Sequence, residues 1–143
     1  MVELRYLSME EVPSIPTRTT PLRVAVYAPL ASAPLAPDLV LVRGNPRQLM
    51  LLSEAAQLAG VAGVGPAMGR PTCAILPSAV NSQSVSTSFG CVGNRVYTGA
   101  TDNDAFVAIP GAHLAAVVDG LRTVITANDA LEQFHRQRVS AAT

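Results

Sequence analysis

The sequence predicts an α/β or α+β fold, in which a small central mixed sheet is flanked by about four helices within a single domain, 1–143. Short apolar, β-branched runs alternate with longer segments of helical periodicity, which places helices against a sheet. Two of the apolar runs are followed by a glycine and then by a helical segment. The length suits one domain, because domains commonly contain about 100–200 residues.

The first 43 residues are predicted to form strands joined by proline-rich connections. Residues 1–22 are expected to be an extended N-terminal segment, with Val2–Leu7 as its strand candidate. Arg23–Tyr27 alternates and is β-branched, which favours a second strand. Asp38–Arg43 is a continuous apolar run, typical of a strand that is buried on both faces.

Helix signals follow this run directly. Asn45 is a favourable N-cap and Pro46 suits the first helical position, so we predict a helix over Arg47–Ala59. Its apolar face is expected to contain Leu49, Leu52, Ala56 and Ala59. A short helix over Pro71–Asn81 is also predicted, although Pro77 would interrupt it.

The second half of the chain repeats the strand–glycine–helix arrangement. Ser84–Ser88 is a polar strand candidate, for which a solvated sheet edge is the simpler interpretation. Ala105–Ile109 is predicted to be a buried strand. Two helices are expected after it, Ala112–Thr126 and Ala127–Val139, with Asn128 as a cap after the break. The pattern does not determine whether the strands pair in parallel.

The charge pattern excludes several classes of function. Ten arginines balance ten acidic residues, lysine and tryptophan are absent, and no basic stripe with interleaved aromatics occurs, so no nucleic-acid partner is expected. The N-terminus lacks the basic start and apolar run of a signal peptide. Val24–Pro37 is broken by prolines and cannot span a membrane as a helix. A cytoplasmic protein without membrane contact is expected.

The low charge content predicts an assembly. Only 14% of the residues are charged, compared with about 25% in ordinary soluble domains. Such a chain commonly hides apolar surface against another subunit, so we expect a homo-oligomer.

The two cysteines of the chain lie in segments that also contain glycine and arginine, 69–73 and 90–95. Glycine lets the backbone approach a ligand, and arginine binds anions through its guanidinium group. We therefore predict a pocket for a small anionic ligand or cofactor. Its candidate residues are Arg70, Cys73, Gly90, Gly93, Asn94 and Arg95, with Asn45 at a helix start. The sequence does not identify the cofactor.

Each candidate has a plainer interpretation. Free cysteines are usually small buried core residues, and the arginines could pair with Asp102 or Asp104. Ordinary helix capping is the more common role of an asparagine such as Asn45. Alternatively, Cys91 is the catalytic nucleophile or redox thiol of an enzyme, activated by an arginine.

Metal binding is not expected from the cysteine spacing. Seventeen residues separate Cys73 and Cys91, and no C-x-x-C pair occurs. A zinc site would also need His113 and His135, which lie in predicted helices without the usual ligand spacing.

Three runs resemble a prokaryotic family called domain of unknown function 169. They are Pro37–Pro46 (PDLVLVRGNP), Gly90–Arg95 (GCVGNR) and Asp102–Pro110 (DNDAFVAIP), and their order and spacing match the family from Tyr27 to Leu121. The resemblance implies a soluble prokaryotic protein and no established reaction. Members usually carry a further N-terminal region with its own cysteines. The chain therefore resembles the C-terminal half of a typical member, and a third hypothesis is an assembly subunit whose partner supplies the missing region.

Overall fold

A computed structural model describes residues 6–12, 22–27, 37–62, 71–90, 101 and 103–142. The described strands are β1 (Tyr6–Val12), β2 (Leu22–Tyr27), β3 (Leu39–Arg43), β4 (Ser86–Phe89) and β5 (Ala105–Pro110). The described helices are α1 (Pro46–Leu58), α2 (Thr72–Ala79) and α3 (Leu114–Ala142), with a 3-10 turn at Gly111–His113 before α3.

The five described strands form one mixed sheet in the order β1-β2-β3-β5-β4. β2 and β3 are parallel, whereas β1 with β2, β3 with β5, and β5 with β4 are antiparallel. The predicted mixed α/β sheet is therefore confirmed. The two strand–glycine–helix units lie side by side, because β3 and β5 are antiparallel neighbours.

The central strands are apolar because both faces of the sheet are covered. Leu39 and Leu41 of β3 pack in a cluster with α2, whereas Val40 and Val42 pack in a cluster with α1 and α3. Successive side chains of a strand point to opposite faces, so a continuous apolar run serves both clusters. The prediction that β3 is buried on both faces is confirmed.

α1 and α3 pack together unusually closely at one point. A Cβ atom on Gly120 would lie 2.5 Å from the carbonyl oxygen of Ala55, so only glycine permits this approach. The buried residues of α1 are Leu51, Leu52, Ala55 and Ala56. The predicted face is confirmed, since Leu52 and Ala56 are buried and the half-buried Leu49 and Ala59 pack against the same cluster. Leu51 and Ala55 widen this face beyond the prediction.

The predicted break within the last helical region is wrong. α3 is continuous over 29 residues, so the described residues contain three α-helices rather than about four. Asn128 does not cap a new helix, because its side-chain nitrogen donates to the carbonyl of Val124 at 2.9 Å, within the same helix. No proline lies between residues 114 and 142, so nothing in the backbone chemistry stops the helix there.

α2 matches the predicted short helix within one or two residues at each end. Pro77 lies inside it without ending it. Pro77 is the sixth residue of α2, beyond the first four residues, whose N–H groups have no intrahelical partner. The missing N–H of Pro77 therefore removes one hydrogen bond from the helix and leaves the others in place.

The N-terminal strand extends further along the chain than predicted. The described strand β1 is Tyr6–Val12, whereas the predicted strand of the extended segment 1–22 is Val2–Leu7, of which residues 2–5 lie outside the described part. Its pairing with β2, from Tyr6 opposite Tyr27 to Val12 opposite Leu22, selects this register. The polar residues of this strand give no clear apolar alternation, so long-range pairing determines its position. Residues 13–21 and 28–36 lie outside the described part.

Candidate functional site

The candidate site is built at one edge of the sheet, where β2, β3 and β4 all end. β3 and β4 run in the same direction because each is antiparallel to β5, and β2 is parallel to β3. We call this the carboxyl edge; its strand ends are Tyr27, Arg43 and Phe89. Arg43 and Ser88 both pair with Phe106 across the sheet, so they are two strand spacings apart, about 10 Å.

The start of α2 is attached to the end of β4 at this edge. Pro71 forms a parallel bridge with Phe89, and the N–H of Thr72 donates to the carbonyl of Gly90 at 3.3 Å. The hydroxyls of Thr72 and Ser88 are hydrogen-bonded at 2.8 Å, and both residues are fully buried. The structure therefore joins the described ends of the two cysteine-containing segments, although these segments are far apart in the sequence.

Cys73 is exposed and is the second residue of α2. The plainer interpretation, in which it is a small buried core residue, is wrong for this cysteine. Thr72, the residue before it, occupies the buried position instead and bonds to Ser88. Arg70 and residues 91–95, which include the candidates Cys91, Gly93, Asn94 and Arg95, lie outside the described residues.

Gly90 has a structural role that explains why it is glycine. Its φ angle is 55°, in the left-handed region that disfavours residues with a Cβ atom. In this conformation its N–H donates to the carbonyl of Asp104 at 2.8 Å while its own carbonyl accepts from Thr72. Gly90 thus connects β4 to α2 and to the residue before β5. Its role as a ligand-binding residue stays a prediction.

Asp104 organises the turn before β5. Its Oδ2 accepts a hydrogen bond from the N–H of Thr101 at 2.8 Å and lies 3.5 Å from Nη1 of Arg43. The sequence suggested that Asp104 would pair with Arg70 or Arg95, but the described partner is Arg43. Both side chains are partly exposed, so this ion pair contributes little to stability, about 1 kcal/mol at most.

Sequence reasoning missed Arg43 and Thr72 as members of this edge, and for Ser88 it preferred a solvated strand over a pocket. Arg43 carried a usable signal, because it is the one charged residue at the end of an otherwise apolar strand. Thr72 and Ser88 carried none, since their contact joins residues 16 positions apart through the tertiary fold.

Asn45 is also at the carboxyl edge, where it caps α1. Its Oδ1 accepts from the N–H of Gln48 at 2.9 Å, and the Gln48 Oε1 accepts from the N–H of Asn45 at 3.0 Å. The capping interpretation is confirmed by this reciprocal pair. A direct contact between Asn45 and a ligand stays a prediction.

The remaining polar candidates are spread over the fold. β4 is the outermost of the described strands on its side of the sheet, as predicted for the hydroxyl-rich segment, but the edge is not solvated throughout, because Ser88 is fully buried. His113 is half-buried in the 3-10 turn, and His135 lies in α3. Among the described residues no three His, Cys, Asp or Glu side chains converge as a metal site. No helix in the described part of the chain is both long enough and apolar enough to cross a bilayer.

Comparison with known proteins identifies the family and nothing more specific. No curated protein matches this chain, and no solved structure matches it. The model of one family, described as Uncharacterised ArCR, matches residues 6–120. The resemblance seen in the sequence begins at Tyr27, whereas the family match begins earlier, at β1, and ends within the first two turns of α3. The chain therefore belongs to the family called domain of unknown function 169.

Proposed function

We propose that the protein binds a small anionic ligand or cofactor at the carboxyl edge, in a pocket formed by Arg70, Cys73 and residues 90–95. One observation carries this proposal. The hydrogen bond from Thr72 N–H to the Gly90 carbonyl, 3.3 Å long, joins the two segments that contain the cysteines, arginines and glycines. Two such segments that meet in the fold indicate a ligand-binding site more strongly than either segment does alone.

Chain connectivity supports the inclusion of the other candidates. Arg70 is bonded to Pro71, and Cys91 is bonded to Gly90. Consecutive Cα atoms are about 3.8 Å apart. Arg70 and Cys91 are therefore each covalently attached to one side of the Pro71–Phe89 and Thr72–Gly90 contacts. An arginine near this junction supplies the planar donor group that binds carboxylate or phosphate.

The position of the junction also supports an anionic ligand. In open α/β sheets, ligands bind outside the carboxyl ends of the strands, and the N–H groups of a helix start favour negative charge. α2 begins at this edge without a side-chain cap, because its N-cap residue is Pro71. Apart from the N–H of Thr72, which donates to Gly90, the donors of its first turn have no side-chain acceptor at the N-cap, which supports an anion at this position.

A mass comparison tests the proposal directly. We expect the native mass of freshly purified, reduced protein to exceed its denatured mass by the mass of a bound small molecule. A bare native species would contradict a tightly bound cofactor, and the next measurement would then be weak anion binding, with inorganic phosphate as the probe.

Arginine replacement tests the anion site itself. Arg70→Lys and Arg95→Lys keep the charge but remove the bidentate geometry, so each should reduce ligand retention or phosphate affinity about tenfold. Arg122→Lys is the matched control, since Arg122 is exposed on α3 and pairs only with the exposed Asp119 among the described contacts. If Arg95→Lys retains ligand like the parent, the arginine clamp is wrong.

A thiol-dependent enzyme that uses Cys91 is the second candidate function. The exposure of Cys73 favours it, because that thiol is accessible at the same junction. Alkylation of Cys73→Ser and Cys91→Ser, followed by mass spectrometry, separates the two thiols. An enzyme of this kind requires that Cys91 in the Cys73→Ser protein react faster than an unstructured thiol. Slow labelling of Cys91 would contradict the thiol-dependent enzyme, and ligand binding would then be the remaining candidate function.

Three broader proposals rest on the sequence. We propose that the chain is one domain and that it is cytoplasmic. We also propose that it assembles as a homo-oligomer, because its charged content is only 14%. The alternative in which the chain is a subunit that needs a partner domain predicts instead that the purified chain alone is poorly stable. A thermal melt of the isolated chain distinguishes the two.

A further inference from the structure

The strand ends at the carboxyl edge carry polar side chains on the face of the sheet that α2 covers. Successive side chains of a strand alternate between the two faces. Leu39 and Leu41 of β3 belong to the cluster that packs with α2, so Arg43, two residues beyond Leu41, is on the same face. Arg43 and Ser88 each pair with Phe106, which also belongs to that cluster. Arg43, Phe106 and Ser88 therefore form one row across the α2 face of the sheet.

A continuous series of contacts joins the charge of Arg43 to the start of α2. Nη1 of Arg43 is 3.5 Å from Oδ2 of Asp104, and the carbonyl of Asp104 accepts from the N–H of Gly90. The carbonyl of Gly90 in turn accepts from the N–H of Thr72, the first residue of α2. The hydroxyl of Thr72 bonds to Ser88, at the far end of the row from Arg43. The guanidinium group therefore lies next to the junction that carries the proposed pocket.

Arg43 is accessible to a ligand although it already has a partner. Its side chain is 36% exposed, and that of Asp104 is 26% exposed. A guanidinium group carries five N–H donors in a planar fork, so one arginine binds more than one acceptor at a time. Because a partly exposed ion pair is weak, an anion from solvent can also compete with the carboxylate of Asp104.

The buried hydroxyl pair gives an independent indication of an acceptor at this end of the sheet. Thr72 and Ser88 are fully buried and have two hydroxyl protons, of which the bond between them uses one. Among the hydrogen bonds of the described residues, none provides an acceptor for the second proton. Buried donors are nearly always satisfied, because an unmade hydrogen bond is costly away from water. An oxygen of a ligand at the start of α2 would complete this pair.

We infer that Arg43 is a ligand-binding residue of the proposed pocket, and that Asp104 orients its guanidinium group and competes with the ligand for it. The inference rests on the proposed function and deepens it. The planar fork of arginine matches the paired oxygens of a carboxylate or a phosphate, so the ligand is an oxyanion. Arg43 attracts this oxyanion, whereas the carboxylate of Asp104 repels it. Replacement of the two residues should therefore change the affinity in opposite directions.

Titration calorimetry of the full chain with inorganic phosphate tests these directions. Arg43→Gln removes the charge and should weaken phosphate binding about tenfold, and Arg43→Lys, which keeps the charge without the fork, should weaken it about threefold. Asp104→Asn keeps an oxygen for the N–H of Thr101 but removes the repelling charge, so it should strengthen binding about threefold. Because the ion pair is partly exposed, circular dichroism should show that all three variants are folded.

Arg122→Gln and Asp119→Asn are the matched controls. They break an exposed arginine–aspartate ion pair of 3.4 Å on α3, the helix that packs on the opposite face of the sheet from α2. Neither control should change the phosphate affinity. An ion pair with a purely structural role predicts instead that loss of either partner acts in the same direction. Weaker binding by Asp104→Asn, parental affinity in Arg43→Gln, or equal losses in the controls would each overturn the inference.

The same titrations distinguish this inference from the proposed function. If Arg70→Lys or Arg95→Lys weakens phosphate binding and Arg43→Gln does not, the inference is wrong and the proposed pocket remains. If the parent binds no phosphate and its native mass shows no bound molecule, both are wrong.

Discussion

α1 and α2 begin at the same edge of the sheet but on opposite faces, and their first turns differ in chemistry. At the start of α1, Asn45 and Gln48 satisfy each other's backbone donors in a reciprocal cap. At the start of α2, Pro71 provides no side-chain cap, and the attachment is made by a backbone bond to Gly90 and by a buried hydroxyl pair.

This difference supports α2, rather than α1, as the helix that begins beside the proposed pocket. A capped first turn has already used its side-chain acceptor on its own backbone, so α1 gains little from an anion. The first turn of α2 has an exposed cysteine and no side-chain cap. The comparison therefore favours the α2 side of the carboxyl edge for the proposed pocket.

The largest expected loss of stability comes from a substitution at the contact between α1 and α3, away from the cap of α1. Gly120→Ala places a Cβ atom against the Ala55 backbone and forces α1 and α3 apart, which should cost about 3 kcal/mol. Chemical denaturation measures this loss, with the exposed Thr123→Ala on the same helix as the control. Equal stability of Gly120→Ala and the parent would show that the two helices are not in close contact there.

Gly90→Ala tests the junction on the α2 side. Alanine at a φ angle of 55° in this buried turn should destabilise the protein by about 2 kcal/mol. Because Gly90 accepts from Thr72, the same variant should also weaken ligand retention under conditions where the protein is still folded. Unchanged binding by a folded Gly90→Ala protein would separate this junction from the pocket.

Removal of one buried hydroxyl tests how α2 is held. Ser88→Ala leaves the Thr72 hydroxyl without its described partner and should cost about 1.5 kcal/mol. The double variant Ser88→Ala/Thr72→Val removes both polar groups, so its cost should be smaller than the sum of the single losses. A double-mutant cycle by denaturation measures this coupling, and purely additive losses would contradict a direct bond.

Asn45→Ala gives the smallest expected effect and the clearest test of the comparison. Loss of the cap should reduce stability by about 1 kcal/mol, whereas Asn45→Ser, which keeps a neutral capping oxygen, should retain most of it. Ligand retention should not change in either variant if α1 is only a structural element of the edge. Loss of ligand from a stable Asn45→Ser protein would instead place Asn45 in direct contact with the ligand.

Local chemistry was sufficient to predict several elements of the fold. The apolar run of β3, the capping residues before α1 and the β-branched run of β5 each specify structure within a few neighbouring residues, and their observed bounds agree within one or two residues. The polar segment of β1 and the continuity of α3 were mispredicted. β1 depends on its pairing with β2, and an asparagine that bonds back within its helix looks like a cap in the sequence.

The sequence by itself determined the apolar strands, the capped start of α1 and the two cysteine segments as candidates, because these features depend on residue type and short spacing. Only the tertiary structure decided that the described ends of those segments meet, that Thr72 is buried while Cys73 is exposed, and that Asp104 pairs with Arg43. These contacts join residues from separate elements, and their geometry is determined by how α2 packs on the sheet and by the order of the strands.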